Sequence, residues 1–291
     1  MNSRDLRGRV AIVVDSAASV PEEFRESPLT FMAPMRLHVG DKTYRDGIDI
    51  SPGDFYQIQR RNADRTSTSA PSPSDFLRAY TEAAQIAEAA LAILVSDALS
   101  VAKRSADTAR ELFRDTHPEF EIRSLDSRSA AGGQGLIAWE ALKESSTGVD
   151  LGQVEDRALE VRERISLLAY VDTLYYLWKG GRVPGLAHAG ASLLKLKPIF
   201  ELNQSQIYSL ARPRTAQRAS EKMIELMGER VGDARVHAIV MHVAAPEKAE
   251  ELRRSVGERF ECAELFLTEF TPVMGAHIGP GMAGVAFWAE S

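Results

Sequence analysis

The stretch Val10-Ala-Ile-Val-Val-Asp15-Ser16 decides the fold class. Five apolar residues lead directly into a carboxylate and a hydroxyl, a pattern typical of a buried strand that ends at a polar loop. A short apolar run also occurs at Leu91–Val95, and Phe120–Leu125 is predicted to form a further strand, with amphipathic helical segments on either side of them. This alternation predicts a parallel sheet with helical crossovers in the first half of the chain.

Further signals place helices and strands along this first half. Ser51-Pro52 and Ser72-Pro73 each put a capping residue before a proline at the first helical position, and Ser19–Glu22 has the spacing of a capping box. Phe31–Val39 is predicted to form a second strand. The segment from Asn62 to Ser72 has no large apolar side chain, so it is predicted to be a polar loop, either functional or a flexible surface segment.

The middle of the chain carries two helix signals. The glycine cluster Gly132-Gly133-Gln-Gly135 is predicted to open a helix around Leu136–Leu142. Opposite charges stand at helical spacing in Val154–Arg164, which predicts a solvated helix linking two domains.

The pattern changes in the second half. Lys197–Leu202 and Gln206–Leu210 flank the turn Asn203-Gln-Ser205 and predict an antiparallel hairpin. We therefore expect two domains in this chain of 291 residues. Residues 1–150 should form a three-layer α/β domain with a parallel sheet, and residues 151–291 an α/β domain with antiparallel strands.

Composition narrows the function classes. The net charge of −6 argues against a nucleic acid partner, because such partners need a concentrated basic face. Val10–Val14 is far too short for a signal-peptide core or a membrane span, so we expect a cytoplasmic protein. The single cysteine, Cys262, excludes an internal disulfide. His237 and His242 would point to opposite faces of one strand, so we expect no metal site from the histidine spacing.

Polar residues follow three of the predicted strands, where ligands bind in doubly wound sheets. They are Asp15-Ser16, Ser96-Asp97 and Asp126-Ser127. Each pair is explained either as a helix cap or as part of a hydroxyl-lined site. Thr68 and Ser69 in the polar loop add hydroxyls that donate to a carboxylate or phosphate without adding charge.

His277 stands in the stretch Met274-Gly-Ala-His-Ile-Gly-Pro-Gly-Met-Ala-Gly284. The glycines leave backbone amides open to close approach by a ligand, although an ordinary Gly/Pro turn before a last strand explains the same residues. In Lys179–Gly185, a predicted helix Asp172–Trp178 ends in glycine and presents Arg182 to an oxyanion or to solvent. The chain has no Walker A sequence, G-x-G-x-x-G motif, nucleophile elbow or kinase catalytic set.

Taken in order along the chain, nine motifs resemble the DegV family: Val10–Ser16, Tyr44–Asp49, Thr68–Ser72, Leu99-Ser100, Asp126-Ser127, Lys179–Arg182, Lys195–Ile199, Arg214-Thr215 and Gly275–Gly281. The resemblance implies two mixed α/β domains with a fatty acid in a buried tunnel between them. It also implies the acyl-carrying subunit of a bacterial fatty acid kinase, which presents the carboxylate to a separate ATP-binding subunit. Apart from the fatty acid as a bound ligand, the resemblance implies no cofactor.

The same resemblance assigns the site residues. Thr68 and Ser100 would hold the carboxylate, and Ser69, Ser96, Gly279 and His277 would complete the fatty acid site. Arg182 and His277 would serve transfer or partner docking, with the His277 motif returning to the cleft between the domains.

One departure from the family pattern is visible beside Ser100. The family usually has Gly-Thr after this serine, whereas this chain has Val101-Ala102. The change removes a hydroxyl and adds bulk at the start of a helix, which affects where the carboxylate would sit.

A second hypothesis comes from a different class. The chain could be a stand-alone phosphotransferase or hydrolase that uses His277 as an acid or base. Turnover without a partner would favour this hypothesis, and a co-purifying acyl chain would favour the lipid-binding subunit.

Overall fold

The computed structural model describes residues 10–62, 65–182 and 196–290. The strands are β1 (Val10–Asp15), β2 (Thr30–Ala33), β3 (Arg36–Val39), β4 (Lys42–Arg45), β5 (Thr66–Ser69), β6 (Ala89–Leu94), β7 (Glu121–Asp126), β8 (Ser166–Tyr170), β9 (Ile199–Asn203), β10 (Gln206–Ala211), β11 (Val236–His242), β12 (Cys262–Glu269) and β13 (Ala283–Ala289). The helices are α1 (Glu22–Glu26), α2 (Pro52–Asn62), α3 (Pro73–Ala83), α4 (Ala102–Arg114), α5 (Ala131–Ser145), α6 (Leu151–Arg164), α7 (Tyr175–Gly180), α8 (Ala216–Val231), α9 (Pro246–Arg259) and α10 (Pro272–Ile278). Among these helices, none has both the length and the apolar character needed to cross a membrane.

A four-stranded parallel sheet forms the centre of the first half, in the order β2-β1-β6-β7. All residues of β1 are buried, because helices α3 and α4 cover one face of the sheet and α5 and α6 cover the other. This arrangement confirms the predicted three-layer α/β architecture with a parallel sheet.

The prediction of one strand over Phe31–Val39 was wrong. The chain forms β2 in the parallel sheet and then β3 in a separate antiparallel sheet of order β4-β3-β5. Pro34 stands between the two strands and lacks the N–H needed to continue a ladder. The prediction of a polar loop was also wrong over Thr66–Ser69, since these residues form β5, with Thr68 opposite Leu37.

The second half contains a six-stranded mixed sheet in the order β10-β9-β8-β13-β11-β12. The predicted hairpin is confirmed as β9 and β10, and Gln204 and Ser205 at its turn have φ of 46° and 65°. Positive φ at both central residues is typical of a two-residue hairpin turn. Strands β11 and β12 are parallel and are joined through α9, whereas the other pairs in this sheet are antiparallel.

Helix α5 packs against both of the larger sheets, contacting β1 and β6 on one side and β11 and β13 on the other. The predicted helix is confirmed as Ala131–Ser145, and the glycine cluster opens it by forming most of its first turn. A Cβ on Gly132 would lie 2.6 Å from Met241 Sδ, and a Cβ on Gly135 would overlap Ser19 O. The glycines therefore allow the helix to approach the neighbouring elements closely.

One apolar cluster continues from β1 through α5 to β11. The division into domains 1–150 and 151–291 consequently remains a prediction. Helix α6 is not a simple solvated linker, because Val154, Ala158 and Val161 are fully buried.

The predicted capping box at Ser19–Glu22 was wrong, since α1 begins after Pro21 without a side-chain cap and Ser19 is buried. The cap at Ser51 is confirmed, because its Oγ accepts a hydrogen bond from Asp54 N at 3.2 Å. Ser72 begins a capping box in which Asp75 Oδ2 accepts a hydrogen bond from Ser72 N at 3.0 Å.

We predict that Gly135→Ala destabilises the protein by about 1–3 kcal/mol, as overpacking of a dense interior does. Alanine alone would favour the helix by about 1 kcal/mol over glycine, so the overlap with Ser19 O must outweigh that gain. Urea unfolding measures the difference. Gly53→Ala in α2 is the matched control, because its Cβ meets nothing within 4 Å. Equal stability of the two variants would contradict the close approach of α5.

Candidate functional site

A cavity of about 160 Å³ lies where the three sheets and α10 meet. Its walls are mostly apolar and come from both halves of the chain: Ala17, Met35, Ala70, Val95, Leu99, Ala130, Ala131, Leu167, Ala169, Val171, Leu177, Phe200, Leu202, Ile207, Phe270, Val273, Met274, Ile278 and Met282. The polar side chains on this lining are Thr68, Ser69, Ser100, Arg182 and His277. The lining therefore suits a ligand with an apolar part and a small polar group.

Helix α10 brings His277 to the cavity, because several buried contacts hold the start of this helix. Asp46 Oδ1 accepts a hydrogen bond from Val273 N at 3.1 Å, and Thr271 Oγ1 donates to Ser16 O at 2.9 Å. Tyr56 Oη donates to Phe270 O at 3.0 Å. The histidine consequently stands in the last turn of a short helix, not in a free Gly/Pro turn.

The hydroxyl of Thr68 and the ring of His277 form the central polar contact of the cavity. Thr68 Oγ1 and His277 Nε2 lie 2.7 Å apart, and the direction of this hydrogen bond depends on the tautomer. Burial, and then the positive charge of Arg182, lower the pKa of His277 to about 4. The imidazole is therefore neutral near pH 7. Its Nδ1 has no hydrogen-bond partner in the described part of the chain.

Arg182 lies at the end of α7 and is exposed. Gly181 ends the helix with a φ of 66°, and Arg182 Nη1 donates to Gly180 O at 2.6 Å. The remaining part of this motif, with Pro184 and Gly185, and the family position Lys195 lie outside the described residues.

The other serines predicted for the site take different positions. Ser100 lines the cavity, and its Oγ accepts a hydrogen bond from Ala102 N at 3.3 Å. Ser69 also lies on the lining, with its Oγ 3.0 Å from His38 Nε2. Ser96 is buried away from the lining, where its Oγ donates to Ser205 at 2.9 Å.

Gly279 lies outside the lining. It has a φ of 81°, and a Cβ there would overlap the Tyr176 ring, so its placement is explained by close packing. Val101, which departs from the family pattern, is 54% exposed and points to solvent.

The polar residues that end β1 support local structure. The Asp15 carboxylate accepts hydrogen bonds from Ala17 N and Val95 N, and Ser16 Oγ donates to Asp46 at 2.6 Å. Burial raises the pKa of Asp15 and of Asp46 to about 6 each. The roles of Thr271 and Tyr56 in holding α10 were not predicted, since their partners are distant in the chain.

Known proteins resemble this chain over almost its entire length. The model of the DegV family, described as an uncharacterised protein, matches residues 9–290. A DegV domain-containing protein of Streptomyces coelicolor is 32% identical, with 95% of this chain and 97% of the relative covered. One from Mycobacterium bovis is 30% identical, with 95% and 96% covered.

Solved structures share the fold. A fatty-acid-binding DegV family protein from Thermus thermophilus is 27% identical, with a TM-score of 0.88 and 97% and 100% of the two chains covered. The Fak B3 protein of Streptococcus pneumoniae, solved with linoleic acid, has a TM-score of 0.86 over 97% and 100% of the chains. Its identity is 18%, so this likeness shows the fold alone.

We predict that the His277 imidazole titrates near pH 4 and that Arg182→Ala raises its pKa, because the variant removes a neighbouring positive charge. At pH values between the folded pKa of His277 and the ordinary histidine pKa of about 6.5, this side chain is protonated in the unfolded chain and neutral in the folded chain. Stability should therefore fall as the pH drops through this range, and His277→Asn should remove that part of the pH dependence.

Imidazole NMR titration and urea unfolding at several pH values provide the measurements. Arg114→Ala, an exposed arginine at the end of α4, is the control and should leave the His277 titration unchanged. An ordinary titration near neutrality would contradict the burial of the ring.

Proposed function

Because this chain belongs to the DegV family, we propose that it binds a long-chain fatty acid in the cavity and presents the carboxylate to a separate ATP-dependent kinase subunit. The observation that carries the proposal is the cavity itself, an apolar chamber whose polar side chains are three hydroxyls, one neutral imidazole and one guanidinium. Fatty acid binding by the Thermus thermophilus relative supports the choice of ligand.

The acyl chain would supply most of the affinity. Burying about fourteen methylenes at roughly 0.8 kcal/mol each contributes on the order of 11 kcal/mol before the costs of binding, whereas one neutral hydrogen bond nets about 1 kcal/mol. The walls from both larger sheets, such as Val95 and Leu167, provide the apolar surface for this burial.

The carboxylate would lie at the polar side chains. Ser100 donates its hydroxyl proton, and the tautomer of the neutral His277 ring decides the second donor. With the proton on Nε2, His277 donates to Thr68 and the Thr68 hydroxyl donates to the carboxylate; with the proton on Nδ1, Thr68 donates to Nε2 and Nδ1 becomes the donor. Arg182, exposed at the end of α7, contributes positive charge beside these groups. The head group is thus oriented by hydrogen bonds and left within reach of a second protein.

Phosphoryl transfer would take place in the complex. A carboxylate oxygen attacks the γ-phosphorus of ATP, the bond from that phosphorus to the β,γ-bridging oxygen breaks, and acyl phosphate and ADP form. This chain has no Walker A or kinase motif, which is why the nucleotide is assigned to the partner. Arg182 would stabilise the charge on the transferred group, and His277 would hold the attacking carboxylate.

A stand-alone hydrolase is the second candidate. The 2.7 Å contact between Thr68 and His277 resembles a hydroxyl nucleophile beside its base. Such a base is usually oriented by a third group, and His277 Nδ1 has no partner in the described residues. Turnover of acyl esters by the purified chain alone would favour this candidate.

The cytoplasmic location expected from the sequence remains a prediction.

We predict that Thr68→Ala and Ser100→Ala each weaken fatty acid binding by about 1–2 kcal/mol, because they remove hydrogen bonds and leave the methylene burial intact. Titration corrected for tight binding measures the loss. Thr68→Ser should restore most of it, and Thr108→Ala, an exposed residue on α4, is the matched control. Wild-type affinity in the Thr68→Ala/Ser100→Ala double variant would show that neither hydroxyl binds the carboxylate.

We predict that His277→Ala and Arg182→Ala retain bound fatty acid but lose acyl-phosphate formation when the cognate kinase subunit and ATP are supplied. Neither side chain is needed to bury the acyl chain. Lipid content by mass spectrometry and coupled turnover are measured on the same preparations, with Arg114→Ala as the control. Full turnover in both variants would refute the transfer role, and joint loss of lipid and fold would assign the residues to structural support.

A further inference from the structure

A second cluster of titratable side chains lies in the C-terminal half of α5. The start of this helix lines the cavity at Ala131, and Glu140 follows nine residues later, about 14 Å along the helix. Glu140 meets His237 of β11 and Glu264 of β12, two residues paired across adjacent parallel strands. The cluster therefore joins three elements that are distant in the chain.

One atom from each side chain points toward a common centre. Glu140, His237 and Glu264 each offer one such atom, and the three atoms lie within 4.8 Å of one another. His237 Nδ1 is 3.4 Å from the Glu140 oxygen and 2.8 Å from the Glu264 oxygen. One imidazole nitrogen and two carboxylate oxygens at this spacing are a suitable partial ligand set for a divalent metal ion.

The outer atoms of the same side chains are already held by other residues. His237 Nε2 lies 3.0 Å from Glu290 Oε1, and Glu140 Oε2 accepts a hydrogen bond from Arg157 at 2.7 Å. The outer oxygen of Glu264 accepts a hydrogen bond from Trp139 at 2.9 Å. Metal ligands are characteristically oriented in this way, with a carboxylate on the far nitrogen of a histidine.

The centre of the cluster is buried and already holds a cation. Glu140 is 3% exposed. The ammonium of Lys143 contacts Glu140 Oε1 at 2.7 Å as an ion pair and also bonds both oxygens of Glu264. A single-charged cation thus occupies the position where the ligand atoms converge.

A route for exchange is present. A groove between α5 and α6, lined by Glu140, Lys143 and Arg157 together with Glu144, Asp156 and Glu160, opens beside the cluster. The Lys143 side chain is 36% exposed and lines this groove, which would receive its ammonium if a metal ion displaced it.

We propose that Glu140, His237 and Glu264 form a binding site for a first-row divalent transition-metal ion such as Zn²⁺, which enters from the groove and displaces the Lys143 ammonium. The histidine favours such an ion over Mg²⁺ or Ca²⁺, which prefer oxygen ligands alone. Water from the groove completes the coordination.

The proposed ion would be structural. It connects the C-terminal half of α5 to β11 and β12, and therefore strengthens the packing of α5 on the six-stranded sheet. Sequence spacing could not indicate this site, because the other histidine of the strand, His242, points to the opposite face and the two carboxylates come from other elements.

Zinc uptake by the tag-free, EDTA-treated full chain tests the proposal. With ZnCl₂ as the probe, competition against a chromogenic chelator should show one ion per chain, and thermal unfolding should move to higher temperature. MgCl₂ at the same concentration should have neither effect. Lys143→Ala retains all three ligands and removes the competing ammonium, so it should bind zinc more tightly than wild type.

Two further variants separate the site from adventitious binding. Glu290→Ala removes the group that orients the imidazole and should weaken zinc affinity roughly 10- to 100-fold. His237→Gln should abolish uptake, while His117→Gln, which changes an exposed histidine, should behave as wild type. Circular dichroism checks that each variant is folded.

The proposal is overturned if Lys143→Ala takes up no zinc at one equivalent, because the cluster is then only an ion-pair network. It is also overturned if Glu290→Ala and a folded His237→Gln bind zinc as well as wild type, since the ion then binds elsewhere on the chain. Should His237→Gln fail to fold, the Lys143 and Glu290 variants decide the outcome.

Discussion

The close approach of α5 to two sheets is the constraint on which much of the remaining structure depends. A helix that carries ordinary side chains at positions 132 and 135 would stand farther from Met241 and Ser19. Its first residue would then no longer line the cavity, and the contact between the parallel and mixed sheets would open. Three glycines within one helical turn cost helix propensity, and the packing on both sides offsets that cost.

The sequence predicted the elements whose surroundings are uniform. A strand buried on both faces, such as β1, is apolar throughout, and a proline after a capping serine marks a helix start, so both signals are local. The prediction failed where the partner decides the structure. Thr66–Ser69 is polar and forms a strand only because β3 offers an edge, and Ser19 is buried by elements far along the chain.

The structure likewise brings together only some of the residues that the sequence predicted for the candidate site. Thr68 and His277 were predicted from a hydroxyl-rich segment and a glycine-rich segment, and the structure places them in hydrogen-bond contact. Ser96 was predicted with equal reason, because a hydroxyl at a strand end has the same sequence signature whether it meets a ligand or another serine. The apolar walls could not be distinguished from ordinary core, since Leu167 or Val95 would be apolar in either role.

The two-sided origin of the cavity walls has a thermodynamic consequence. Leu167 and Phe200 come from the mixed sheet, while Ala17 and Val95 follow strands of the parallel sheet, so any occupant becomes part of the core that they share. An occupant that binds only the folded chain adds about 2.7 kcal/mol of stability when its free concentration is a hundred times its dissociation constant. Resistance of the protein to unfolding and proteolysis would then rise with the free concentration of that occupant. The loaded form would be degraded more slowly than the empty one.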